Sequence, residues 1–90
     1  MAASWNRAFG LYLRSLRKRQ GLSLADVATL SQAFAAPLDK SYLSRCENGL
    51  QRIALPKIIP LTRIYKVSAD AMIGEVEREM KRNDLGRPGR

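Results

Sequence analysis

In the stretch KSYLSRCENG, Lys40 to Gly49, four polar side chains fall at helical neighbour spacing: Lys40, Ser41, Ser44 and Arg45. Residues three and four apart share a face of a helix. The four would therefore stand together, two cations and two hydroxyls. Leu43 and Cys46, three apart, fall on the other side and suit a core. Asn48-Gly49 then stops the helix. The chemistry of such a polar face is hydrogen bonding and charge, not bond-making.

The rest of the composition points the same way. The chain has no His and a single Cys, Cys46, so no intrachain disulfide can form and most metal sites and nucleophile–base pairs are removed. There is no Gly-rich phosphate loop and no paired catalytic signature. No enzyme activity, metal or cofactor is expected. A buried, inert thiol is the reading for Cys46, and lone-cysteine usage suits a cytoplasmic protein. Lys plus Arg number 16 against 8 acids, a net charge of +8. A domain this basic attracts polyanions, most often nucleic acid.

These side chains need a scaffold. Ninety residues, 46% hydrophobic and 27% charged, make one small globular domain. Trp5, Phe9, Leu13 and Leu16 recur on one helical face, and Gly21 offers the stop. This basic, acid-free first segment also has the character of a targeting peptide or a membrane-surface helix. Its pattern continues past Gly21 without a cleavable break, so no membrane partner is expected. Ser23 is an N-cap with Asp26 three positions on, and Leu24, Val27, Leu30 and Phe34 follow as an apolar face. That second helix should run to about Ala35 before Pro37. Asp39 caps the third helix, with Leu38 packing inward beside it. Ile58, Leu61, Ile64 and Tyr65 mark a fourth, its first turn made irregular by Pro60. Met72, Ile73, Val76 and Met80 mark a fifth, fraying near Lys81. The domain is placed at residues 1–82 and a flexible basic tail at 83–90.

The segments LRSLRKRQGLSLADVATL, KSYLSRCENG and LTRIYKVSADAMIG, in that order, resemble the phage-repressor and Cro-like helix-turn-helix family, the XRE family. The likeness spans Phe9 to Gly74. It implies an all-α, compact five-helix bundle of the lambda-repressor-like DNA-binding type, whose second and third helices form the helix-turn-helix. It also implies that Asp39 to Asn48 lies in the major groove of double-stranded DNA. Asp39, Lys40, Ser41, Ser44 and Arg45 would then meet bases, since N-terminal residues of such a helix reach base edges. Ser23, Lys18, Arg19, Asn48, Gly49 and Arg52 would meet phosphates. Arg17 and Glu47 match a structural ion pair of similar proteins. The function implied is a sequence-specific, repressor-like transcriptional regulator, acting as a homodimer on two half-sites. Met72, Val76 and Met80, or Leu50 with Ile53, could supply the dimer surface or belong to the core.

A rival expectation is a protein-interaction module, antitoxin-like or an adaptor, that binds a protein partner through an extended turn. Burial of Phe34 and Leu38 would make that turn structural; exposure would favour a partner. The chain departs from the family pattern at four places. Leu24 stands where Gln is frequent at the start of helix two. The link SQAFAAPLDK is about five residues longer than usual and lacks Gly, which suggests a second helix extended by a turn. Lys66 replaces the Gly that ends helix four. Ile53 takes the place of a frequent Pro, with Pro56 and Pro60 following later.

Overall fold

The computed structural model describes residues 2–85. Five α-helices succeed one another: α1 (Ala2–Arg19), α2 (Leu24–Ser31), α3 (Lys40–Glu47), α4 (Leu55–Tyr65) and α5 (Ala69–Leu85). There is no strand among the described residues. The all-α bundle expected from the sequence is therefore the fold observed. α1 packs on α3 and α5, α2 on α3 and α4, and α4 on α5. One core joins them, built from Leu13, Leu16, Val27, Leu38, Leu43, Leu61, Tyr65 and Met72. No helix among the described residues is long and apolar enough to cross a membrane.

Local chemistry sets the ends of these helices. Ser23 and Asp26 form a reciprocal capping box: the Asp26 N–H donates to Ser23 Oγ and the Ser23 N–H to Asp26 Oδ2. Asp39 caps α3 by accepting the Tyr42 N–H at 2.7 Å. Leu38, just outside this cap, is buried with Leu43 four residues into the helix, the pairing of a hydrophobic staple. Three helices end in the same way. Gly21 and Gly49 have φ of 69° and 75°, and Lys66 adopts φ 57°. Behind each, a backbone bond reaches five residues back: Leu22 to Arg17, Leu50 to Arg45 and Val67 to Thr62. This is the Schellman termination, made once with a Cβ where glycine would be easier.

Several expectations are corrected. α2 stops at Ser31 rather than Ala35, so the extra residues form a loop and not a further helical turn. The N–H groups of Gln32, Ala33 and Phe34 each bond three residues back, tightening the chain out of α geometry. Ser31 explains why. It is fully buried, and its Oγ accepts the Leu38 N–H at 2.8 Å and lies 2.7 Å from the Ala28 carbonyl. The loop thus folds back on the helix it leaves. The buried face of α2 consequently runs through Val27 and Ser31, and Leu30 points outward.

α4 is continuous from Leu55, with no irregular first turn at Pro60. The N–H that Pro60 lacks would have served the carbonyl of Pro56, an exposed residue in the first turn. Pro60 itself is buried. α5 continues to Leu85, past the fraying expected at Lys81. Of the expected flexible tail, residues 86–90 lie outside the described residues. On α1, Trp5 is half exposed, while Ala8 and Gly10 are buried. Gly10 is there for clearance: a Cβ at this position would lie 2.2 Å from the Cys46 carbonyl oxygen. The backbones of α1 and α3 meet directly.

Candidate nucleic-acid interface

The position of α3 follows from what holds its other side. Leu43, Cys46 and Glu47 are buried. Burial pushes the Cys46 thiol upward from its ordinary range, which leaves a neutral, unreactive group in the core. Glu47 is held by Arg17 from α1 through two parallel hydrogen bonds, Nε to Oε2 at 2.7 Å and Nη2 to Oε1 at 2.8 Å. Arg17 Nη1 donates in addition to the Leu22 carbonyl at 3.0 Å. The hydrogen bond to Glu47 is also the chief cause that raises the Arg17 pKa above its ordinary value. Its guanidinium is spent inside the protein.

With this side fixed, the opposite side of α3 is presented outward. Lys40, Ser41 and Arg45 are exposed and Ser44 is half-buried. Together with Leu24 from the start of α2, these four line one open groove. The helix-turn-helix geometry is thereby assembled: the first turn of α2 and the outer face of α3 border a shared surface. Leu24 contributes an apolar wall to this groove.

The remaining residues singled out from the sequence are distributed unevenly. Asp39 is exposed, but its Oδ1 is engaged as the α3 cap. Ser23 likewise spends its Oγ on the α2 cap, leaving an exposed helix N-terminus. Its partner Asp26 is held below the usual carboxylate range by hydrogen bonds from Ser23, the backbone N–H first. Asn48 Nδ2 donates to the Ser44 carbonyl at 2.8 Å, and Gly49 supplies the left-handed turn after α3. Arg52 is exposed, and its carbonyl receives bonds from Tyr42 and Gln51. Lys18 is exposed on α1. Arg19 is on a different side: it lines the groove between α1 and α5 with Tyr12, Asp70 and Glu75. At 3.6 residues per turn it stands about half a turn round from Gly10, the point at which α1 touches α3.

Two cations that sequence reasoning passed over lie close to α3. The Arg7 backbone packs against Gly49, and Arg14 Nε is 3.9 Å from Glu47 Oε1 while remaining half exposed. Arg7, Arg14 and Lys18 repeat at seven and four residues, one stripe beside the α1–α3 contact. The signal that could have found them was Gly10, whose small size marks the face of α1 that meets another backbone.

Residues 8–73 match the model of the helix-turn-helix domain family. The chain belongs to that family. It is also similar to the restriction-modification controller protein C.AhdI from Aeromonas hydrophila, at 31% identity and a TM-score of 0.65 over 74% of this chain and 94% of that one. The clp gene regulator ClgR from Corynebacterium glutamicum is similar at 22% identity and a TM-score of 0.77, over 90% and 81% of the two chains. This second likeness is one of fold. No curated protein sequence matches the chain. The helix-turn-helix family expected from the motif SYLSRCENG thus agrees with the family match.

Proposed function

We propose that this helix-turn-helix protein is a DNA-binding transcriptional regulator that reads double-stranded DNA in a sequence-specific way, laying α3 in the major groove. The observation that carries this reading is the division of α3. Its inner side is locked by Leu43, Cys46 and the Arg17–Glu47 pair, while Lys40, Ser41, Ser44 and Arg45 border an open groove with the α2 N-terminus. A helix of this diameter fits the major groove, and Lys and Arg pair well with guanine there. Each good bidentate contact discriminates by about 1–3 kcal/mol. In this reading the exposed N-terminus of α2, the turn at Asn48–Gly49, Arg52 and Lys18 meet backbone phosphates, where oriented N–H groups and cations are favourable. The +8 charge supplies attraction at longer range.

Such a module gains affinity as a homodimer, with half-site centres about 34 Å apart or at a multiple of that spacing. Met72 and Val76 are buried, so they belong to the core and not to a dimer surface. Leu50 remains exposed. Of the two residues that bear on the rival reading as a protein-interaction module, Leu38 is wholly in the core, which weakens it, while Phe34 is only half-buried.

Selection of bound fragments from a random duplex pool tests the proposal. The expected result is enrichment of one motif, in two half-sites if the protein dimerises. Lys40→Ala and Arg45→Ala should each weaken the selected duplex while leaving the melting temperature unchanged. No enrichment, or unchanged affinity in both variants, overturns direct reading by α3.

A further inference from the structure

We infer that Lys57 is a positioning residue for α3: its ammonium straps the long α2–α3 loop to α4 and to Tyr42, and it does not serve as a phosphate contact. This rests on the proposed DNA reading for its functional meaning but not for its geometry. Lys57 Nζ donates to the Pro37 carbonyl at 2.7 Å and stands 5.2 Å from the centre of the Tyr42 ring. Both partners bracket the first turn of α3. Pro37 lies two residues before the cap Asp39, and Tyr42 is the residue whose N–H that cap receives. Tyr42 is itself fixed, since its hydroxyl donates to the Arg52 carbonyl and accepts the Ala54 N–H. Burial raises its pKa, which keeps the hydroxyl protonated for that bond.

The location of Lys57 makes sense in these terms and in few others. It is the third residue of α4, where the helix dipole disfavours a cation. A carbonyl oxygen and an aromatic face offset that cost. The loop needs the tie. Residues 32–38 carry no charged side chain, and Pro37 has no N–H to give. From inside, Ser31 pins the loop at Leu38. From outside, Lys57 pins it at Pro37. Together they fix the loop on both sides just ahead of the turn that bears Lys40 and Ser41.

The test compares wild type with Lys57→Met, which keeps the apolar stem, and Lys57→Arg, which keeps both a donor and a cation over the ring. The first readout is hydrogen exchange at the Ala33, Phe34 and Leu38 amides, without DNA. The second is affinity for the duplex selected with the wild-type chain, measured across salt. Lys57→Met should speed exchange and weaken the selected duplex by about tenfold each, with the salt slope unchanged and base preference relaxed opposite Lys40 and Ser41. Lys57→Arg should restore both. A salt slope reduced by about one with exchange unchanged would show a phosphate contact and overturn the strap. Unchanged exchange and affinity would overturn it as well. If the wild-type chain selects no duplex, the DNA reading fails, and exchange alone decides: faster in Met and restored in Arg upholds the strap, no change refutes it.

Discussion

Arg17 of α1 and Glu47 at the end of α3, 30 residues apart in sequence, meet as a planar fork on a carboxylate with bonds of 2.7 and 2.8 Å. Two hydrogen bonds in one plane fix direction as well as distance. Because Arg17 also donates to the Leu22 carbonyl, the pair binds together α1, the link to α2, and α3. The start of α2 and the outward face of α3 are thereby set relative to each other. The pair also cancels a carboxylate that would face the α3 C-terminal dipole and any phosphate nearby.

Removing one partner should therefore cost far more than a surface pair would. The Glu47 side chain is 4% exposed and that of Arg17 11%. Glu47→Ala strands the guanidinium in this setting, with an expected loss of about 3–5 kcal/mol. For a domain of this size that lowers Tm by on the order of 20 °C. Thermal unfolding followed by circular dichroism checks it. A fall of less than about 2 °C would reduce the pair to the worth of an exposed one.

At Lys66 the expected change has the opposite sign. With φ 57° and ψ 43°, this residue carries a Cβ in the left-handed region, a cost of about 1–2 kcal/mol. Lys66→Gly removes that strain but frees the unfolded chain, which returns roughly 0.5–1 kcal/mol. A net gain of about 0.5 kcal/mol, or a few degrees in Tm, is expected. Lys66→Ala keeps the Cβ and should give no gain. Equal Tm rises in the two variants would assign the effect to charge and not to backbone conformation.

These two sites show what a sequence can and cannot convey. The Schellman ends at Gly21 and Gly49 were legible because glycine advertises left-handed backbone, and the left-handed Lys66 was legible as a misfit against a family pattern. The caps at Ser23 and Asp39 were legible because capping is local, fixed by residues three apart. The end of α2 was not. It depends on Ser31, a polar residue buried because it serves a backbone N–H seven residues on, and no periodicity rule places serine in a core. Gly10 and Lys57 were illegible for the same reason. Each acts on a partner remote in sequence, Cys46 and Pro37, and nothing in its own neighbourhood names that partner. The groove on α3 was legible as a spacing; which cations of α1 stand beside it became clear only from the crossing of two backbones.

The capping box gives a pH signature. Asp26 has a pKa below its ordinary 3.8, because the Ser23 N–H and then its hydroxyl favour the carboxylate. A group whose folded pKa is depressed contributes stability above its unfolded pKa, and this is lost as pH falls through the folded one. The stability difference between wild type and Asp26→Asn should therefore be constant from neutral pH to just above 3.8 and shrink below it. Urea unfolding at a series of pH values measures this. A difference that persisted unchanged at pH well below that range would separate the cap from its charge.

Salt dependence should sort the cations of α1 by side. Arg14 is half exposed beside the C-terminal end of α3, and the Arg7 backbone packs on Gly49 just beyond it. Arg19 lines the α1–α5 groove with Tyr12 and Glu75. If α3 lies in a duplex groove, Arg7 and Arg14 face the flanking backbone and Arg19 does not. Each phosphate neutralised contributes about 0.9 to the slope of log affinity against log salt. Arg7→Ala and Arg14→Ala should each lower that slope by about one and weaken all duplex sequences alike. Arg19→Ala should leave it unchanged. Arg14 is 3.9 Å from Glu47, but Arg17 already supplies both short bonds to that carboxylate, so Arg14→Ala should barely alter Tm. The reverse pattern, with Arg19 lowering the slope and Arg7 and Arg14 silent, would turn the duplex to the α1–α5 side of the bundle and away from α3.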